Sequence, residues 1–323
     1  MAPAVQPRRI IIDCDPGIDD AIALLLAFAS PELELRGITV VSGNVPIDLT
    51  VRNALQICAL AGESGLAVHA GCHRPLVREP IRGLFSGPTG LGKLDLPAPT
   101  RPAAAQHAVA FLVETLTDAA DRGAPITLCT MGPLTNLAVA LRVSPAIAVG
   151  IERVVMMGGA YQVPGNRTPV AEFNILADPH AAHVVFSSGL PITAIGLDAS
   201  HQALSTPDRV ALIEAGGGAL SRAVGDLLRY WDRGDPVRFN GPGGPLHDPL
   251  VIAHLLRPQL FATRAAAVAV ELEGALTLGQ TVPDWFGQTE AAATVDVVTE
   301  VDANAFYGLL AERLASGRRR VVA

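Results

Sequence analysis

Asp13, Asp15, Asp19 and Asp20 crowd one short run near the start of the chain, Asp13-Cys14-Asp15-Pro16-Gly17-Ile18-Asp19-Asp20. Carboxylates packed this closely repel one another and lose hydration on burial unless a cation sits among them. Donors that are all oxygen suit a hard cation, calcium or magnesium, rather than zinc. Pro16 and Gly17 tighten the turn so that Asp15 and the Asp19–Asp20 pair can face a common point. Acids in a first helical turn also complement the helix dipole. That reading accounts for Asp19 and Asp20 but leaves Asp15 without a purpose, so a metal site is expected.

Further polar residues stand where other strands end. Val41-Ser42-Gly43-Asn44 puts an amide at a second strand end. In the run from Thr130 through Met131, Gly132 and Pro133 to Asn136, a main-chain carbonyl could face a metal while Thr135 and Asn136 serve the helix. Met156-Met157-Gly158-Gly159 closes another strand, followed by Asn166 and by Ala171-Glu172-Phe173-Asn174. Read as an extended segment, Glu172 and Asn174 point the same way, which suits a diol or sugar hydroxyl. His247-Asp248-Pro249 ends a glycine-rich loop. Asp178-Pro179 has the same Asp-Pro form and reads as an ordinary helix start. At Asp248 the neighbouring His247, a titratable donor, argues for more. The remaining histidines are expected at the surface or in packing.

These residues need elements to hold them. Short β-branched runs alternate with helix-period segments. Strands are expected over 9–14, 35–41, 66–69, 126–130, 153–157, 192–195, 265–270 and 294–298. Helices are expected over 18–29, 50–61, 104–120, 134–141, 179–186 and 304–315, with an apolar helix after Pro249. The order implies βαβ units. The expected fold is α/β, a single domain over 1–323 with a mostly parallel, twisted, open sheet of Rossmann type and helices on both faces. Segments 71–102 and 232–247 are Pro/Gly-rich without periodicity and read as long mobile loops of functional use.

Composition narrows the partners. Among 323 residues, 24 Lys+Arg stand against 31 Asp+Glu, a formal charge of −7, which argues against nucleic acid or an anionic membrane as partner. Half the residues are hydrophobic, enough for a large core. The longest apolar run, 21–29, is too short to span a bilayer. Cys14, Cys58, Cys72 and Cys129 have no ligand spacing, and no apolar segment follows the charged N-terminus, so reduced thiols in a cytoplasmic protein are expected.

The chain resembles the inosine-uridine-preferring nucleoside hydrolases. The resemblance rests on DCDPGIDDA (13–21), Gly43-Asn44, GPLTN (132–136), MGGA (157–160), PVAEFN (169–174) and His247-Asp248-Pro249. It implies calcium-dependent hydrolysis of the N-glycosidic bond of ribonucleosides to free base and ribose. By resemblance, Asp15, Asp20, Asp248 and the Met131 carbonyl bind calcium, and Asp15 is the general base. Asp19, Asn174 and Asp248 hold the ribose 2′- and 3′-hydroxyls, and Asn166 and Glu172 the 5′-hydroxyl. Asn44 supports the metal–water shell, Met157 and Phe173 belong to the substrate pocket, and His247 faces the leaving base. A homodimer or homotetramer is also implied. One departure stands out: Ser86 occupies the place where many members carry histidine. Base contacts are open among Tyr230, Trp231, Arg233 and Arg238. Two other readings stay open, a nucleoside- or ribose-binding relative without turnover and a metal-dependent phosphohydrolase using the first Asp-x-Asp pair.

Overall fold

The computed structural model describes residues 6–230 and 243–316. The first strand, β1 (Arg8–Cys14), carries the Ile10-Ile11-Ile12 run. Side chains alternate across a strand: Ile10 and Ile12 enter the core on one face of the sheet and Ile11 the core on the other. A strand buried on both faces must be apolar throughout, as strands of parallel sheets are. Asp13 and Asp15 enter only where the strand runs out.

Eight further strands complete the sheet: β2 (Leu33–Val40), β3 (Val68–Ala70), β4 (Ile126–Thr130), β5 (Ile151–Met157), β6 (Ile192–Ile195), β7 (Phe261–Val270), β8 (Thr281–Asp284) and β9 (Val295–Val301). Their order is β3-β2-β1-β4-β5-β6-β9-β7-β8. All pairings from β3 to β9 are parallel, while β7 runs antiparallel to both β9 and β8. The expected mostly parallel α/β sheet is therefore present, with an antiparallel edge. Strand order reverses between β1 and β4. Ligands of open α/β sheets bind in the crevice beyond such a switch point.

Helices cover both faces. α1 (Ile18–Phe28), α2 (Ile47–Leu60), α8 (Pro207–Glu214), α9 (Ala219–Tyr230), α10 (Pro249–Leu256) and α11 (Ala303–Ser316) bound one core. α3 (Ala108–Asp121), α4 (Thr135–Val143) and α6 (Pro179–Phe186) bound the other. Two short helices, α5 (Phe173–Ala177) and α7 (Leu197–Ser200), lie beside strand ends. The apolar periodicity of α1 suggests one buried face, yet every residue of the helix is buried. The sheet takes one side, and α10, α2, α9 and α11 close over the rest.

Two differences from the sequence expectation stand out. α3 begins at Ala108 rather than 104, because the Ala104 N–H donates to the Val68 carbonyl at 2.8 Å and extends the sheet edge, while His107 caps the helix. α8 and α9 were not expected, although Leu220, Val224, Leu227 and Leu228 of α9 recur at helical spacing. Gly225 lets them close together: a Cβ there would meet the Glu214 side chain. The segment 71–102 holds no helix or strand, as expected. Most of 232–247 lies outside the described residues, as do Trp231, Arg233 and Arg238.

Candidate active site

The turn after β1 builds the site. The Asp20 carboxylate accepts the Gly17 N–H at 2.9 Å and the Asp15 N–H at 3.1 Å, which locks the Asp15–Gly17 turn onto the start of α1. Asp20 is thus a helix-capping acid as well as a site acid. Asn44, at the end of β2, donates its N–H to Asp15 Oδ2 at 2.5 Å and its amide to the Asp15 carbonyl and to Asp20 Oδ2. Asp15 Oδ1 is buried with no hydrogen-bond partner. Two glycines make room for this carboxyl group. A Cβ at Gly43 would overlap Asp15 Oδ2, and one at Gly132 would sit 2.5 Å from Oδ1. Both motifs that contain them, Gly43-Asn44 and Gly132-Pro133, therefore need glycine for steric reasons.

Asp19, Asp20 and Asp248 each offer a carboxylate oxygen within 4.8 Å of the others. Asp248 stands just before Pro249 of α10, but its side chain makes no cap hydrogen bond. Asp178, before Pro179, does cap, accepting the Ala181 N–H at 3.0 Å. The same dipeptide therefore serves the helix at one place and the site at the other. Asp15 adjoins the group closely enough to raise the proton affinity of Asp248.

Five acids at this switch point carry raised pKa values. Burial pushes Asp13 up to about 6 and Asp20 and Glu172 up to about 7, and holds Asp15 and Asp248 well above the carboxylate range. Repulsion from neighbouring aspartates adds to burial at Asp15, Asp20 and Asp248. A cluster that resists holding its own negative charge is one that a cation stabilises. The four thiols offer no alternative ligand: all are free, and burial pushes Cys58, Cys72 and Cys129 up to about 12.

Glu172, Asn174 and Met131 form the next wall. The segment 171–174 is extended at Glu172 but turns helical from Phe173, which corrects the reading of Asn174 as extended. Glu172 is the N-cap of α5, its Oε2 accepting N–H groups of Asn174 and Gly159 at 3.0 and 3.1 Å. Helix geometry nonetheless leaves both side chains in the cleft. The Asn174 amide donates to the carbonyls of Met131 at 2.9 Å and Met157 at 3.2 Å, tying β4 and β5 together behind the site. Asn166 Oδ1 accepts the Phe173 N–H at 3.0 Å.

Thr135 and Asn136 do more than serve their helix, a second correction. Thr135 donates to Asp178 at 2.8 Å, and Asn136 donates to Asp13 Oδ1 at 2.8 Å and accepts the Cys72 N–H. Asp13 also accepts from Thr39 at 2.5 Å. This buried cross-brace ties the start of α4 to β1 and β2 beneath the carboxylates.

His247 and its surroundings carry residues that sequence reasoning missed. Nδ1 of His247 lies 2.8 Å from Ser200 Oγ, a buried hydroxyl at the end of α7. His201, expected at the surface or in packing, has its ring centroid 6.3 Å from that of His247. Neither follows any motif, because α7 reaches His247 only through the fold. His69 matches the packing expectation, stacked on Phe111 at 4.0 Å.

Asp19, Asn44, Ser86, Met131, Met157, Asn166, Glu172, Phe173, Asn174, His247 and Asp248 line one cleft of about 520 Å³, with Arg167 and Gly83–Phe85 at its wall. Asp15 and Asp20 lie buried behind it. Ser86 is buried and donates to Asn44 Oδ1 at 3.4 Å, while Leu84 and Phe85 beside it are exposed. Tyr230 packs against Gly87 and Gly92.

A Rossmann-type sheet with a hard-donor carboxylate cleft at its switch point defines an α/β enzyme that handles a small polar molecule. Residues 10–308 match the family described as inosine-uridine preferring nucleoside hydrolase, and the chain belongs to that family. It is 42% identical to pyrimidine-specific ribonucleoside hydrolase RihA of Photobacterium profundum, over 96% of this chain and 99% of that protein. It is 40% identical to pyrimidine-specific ribonucleoside hydrolase RihB of Escherichia coli O157:H7, over 95% and 97%. The structure of a purine-preferring ribonucleoside hydrolase from Gardnerella vaginalis superposes with a TM-score of 0.88 at 31% identity, covering 96% of this chain and 98% of that one. The protein is a ribonucleoside hydrolase, acting on N-glycosyl bonds. Among the described residues no helix is long and apolar enough to cross a membrane.

Proposed function

We propose that the protein hydrolyses ribonucleosides to free base and ribose in a calcium-dependent reaction, with Asp15 as general base and His247 as proton donor to the departing base. The observation that carries the proposal is the convergence of Asp19 and Asp248 in the cleft wall with Asp20, and with Asp15 buried beside them, at the switch point. The donor set fits calcium: all oxygen, anionic, and with an unpartnered buried oxygen on Asp15. Asp15, Asp20, Asp248 and the Met131 carbonyl would hold the ion, and Asp19 belongs to the same compact group. When bound, calcium supplies Lewis acidity that lowers the pKa of water and offsets the carboxylate charge.

The residues then divide the work. Asp15 takes a proton from the attacking water. Asp19, Asn174 and Asp248 orient the 2′- and 3′-hydroxyls, while Asn166 and Glu172 hold the 5′-hydroxyl. Carboxylates below the ribose stabilise the positive charge that develops as the C1′–N bond breaks. Asn44 fixes Asp15 through its N–H. His247 delivers a proton to the base, its ring oriented by Ser200. Met157 and Phe173 supply apolar wall.

Base release from a panel of inosine, uridine, cytidine and adenosine, with and without chelator, tests this reading. Release that stops with chelator and returns with calcium supports it. Binding of nucleoside or ribose without any release would overturn it. Replacing His247 by alanine is expected to lower kcat about a hundredfold on the nucleosides with the poorest leaving bases, the scale of general-acid assistance, and less on the others. An equal loss on all four would contradict the proton-donor role.

A further inference from the structure

Asn166 and Glu172 stand on one excursion of the chain, 158–172, between β5 and α5, which contains no helix or strand of its own. Its shape must come from contacts with other elements. Glu172 Oε2 is held from two sides, by the Asn174 N–H of its own helix at 3.0 Å and by the Gly159 N–H at 3.1 Å. The second bond depends on how the Gly159 peptide is turned. Gly159 has a φ of 92°, and a Cβ there would meet the Tyr161 ring at 2.6 Å, so only glycine makes this reversal.

Two side chains from distant parts of the chain fix the residues that follow Gly159. Thr281, buried at the start of β8, accepts the Ala160 N–H at 3.1 Å and donates its hydroxyl to the Ala160 carbonyl at 2.8 Å. Asp198, buried in α7, accepts the N–H groups of Tyr161 at 2.9 Å and Gln162 at 2.8 Å. The turn leading into Thr281 reaches the far end of the excursion as well. At Gly279, whose φ is 76°, a Cβ would stand 3.1 Å from the Leu176 Cα of α5 and 3.4 Å from the Ala171 Cβ. The antiparallel edge of the sheet thus grips the excursion at both ends, although neither β7 nor β8 contributes a residue to the cleft wall.

We propose that Thr281 and Asp198 are positioning residues for the ribose 5′-hydroxyl, acting on Glu172 through the Gly159 N–H. On the functional reading above, on which this inference rests, Asn166 and Glu172 hold that hydroxyl. A hydroxyl remote from the breaking bond assists catalysis when its binding energy is realised in the transition state. A Glu172 carboxylate that can turn away loses that assistance, while Asp15 and His247 stay in place.

The test compares uridine with 5′-deoxyuridine, which lacks only the 5′-hydroxyl, at saturating calcium. The wild-type protein is expected to favour uridine in kcat/KM. Thr281→Val keeps the outline of the side chain and removes both hydrogen bonds. It is expected to lower kcat/KM for uridine about five- to tenfold, the scale of a lost hydrogen bond, and for 5′-deoxyuridine by less than about twofold. Thr281→Ser keeps the hydroxyl and should recover most of the uridine rate. Asp198→Asn, which sets an amide N–H against a backbone N–H, should show the same selectivity as Thr281→Val. Turnover of 5′-deoxyuridine retained by the variants shows that they fold. Equal losses on both substrates would overturn the inference alone, as would a Thr281→Val protein unchanged on uridine or a Thr281→Ser protein as impaired as Thr281→Val. A wild-type protein that treats the two substrates alike would overturn the placement of the 5′-hydroxyl, and this inference with it.

Discussion

Asp15→Asn is expected to lower kcat at least about a thousandfold, within the range that a positioned general base contributes and equivalent to roughly 4 kcal/mol of barrier. The substitution keeps the shape while removing proton acceptance and one anionic calcium ligand, so it is read at saturating calcium. Asparagine has the outline of aspartate, so it still fits between Gly43 and Gly132, where nothing larger is tolerated. The Asn44 N–H that Oδ2 accepts at 2.5 Å can still meet the amide oxygen. What the amide cannot do is take a proton from water. The loss should fall on kcat with little change in KM. Because the Asp15 carboxyl group is buried among like charges, with its pKa pushed well up, removing its charge should leave the melting temperature unchanged or raise it. Steady-state base release and thermal unfolding on the same sample check both expectations. A variant within tenfold of wild type would remove Asp15 from the role of base.

The second large effect is on stability. Unfolded aspartate and glutamate titrate near pH 4. In the folded protein burial raises Asp13 to about 6, Asp20 and Glu172 to about 7, and Asp15 and Asp248 further. A raised folded-state pKa means that the native state binds more protons than the unfolded chain between those values. The stability these groups contribute is therefore full below about pH 4 and is lost as the pH rises through about 6 to 7. With each pKa unit equivalent to about 1.4 kcal/mol, the metal-stripped protein should lose several kcal/mol on that rise. Its melting temperature is expected to fall by about 5–10 °C between pH 5.5 and 8. Saturating calcium should flatten the slope, since a ligand of the ionised cluster stabilises the native state by mass action. Scanning calorimetry across that range, with and without calcium, reads the effect. A melting temperature that rises with pH in the stripped protein would contradict it.

How much of this was legible in the sequence depended on whether the signal was local. Asp13 to Asp20 could be read because a β-branched strand runs straight into a Pro-Gly turn and an apolar helix, so the strand end, the turn and the acids share one window. The parallel sheet followed from alternating strands and helices, whereas the switch point between β1 and β4 appeared only in the strand order. Asp178 and Asp248 are identical in local pattern, and only the residue before Asp248 separated them. The fold explains the difference: Asp178 turns to its own helix and to Thr135, and Asp248 turns to Asp19 and Asp20. Ser200 and His201 left no signal, because β6 and α7 deliver them to His247 from a distant part of the chain. Glu172 and Asn174 share the cleft wall, but Asn174 was read as extended, since a five-residue helix is too short to show a period. Asn136 bracing Asp13 was hidden for the same reason as Ser200: its partner is 123 positions away.

The central claim is that these buried acids bind calcium in order to cleave the N-glycosidic bond. Calcium titrated into metal-stripped protein, with heat of binding and base release from uridine and inosine followed together, tests it most directly. The account predicts a single ion per chain, with activity rising in step with occupancy and both abolished in Asp248→Ala. Full base release from stripped protein that takes up no calcium would contradict it.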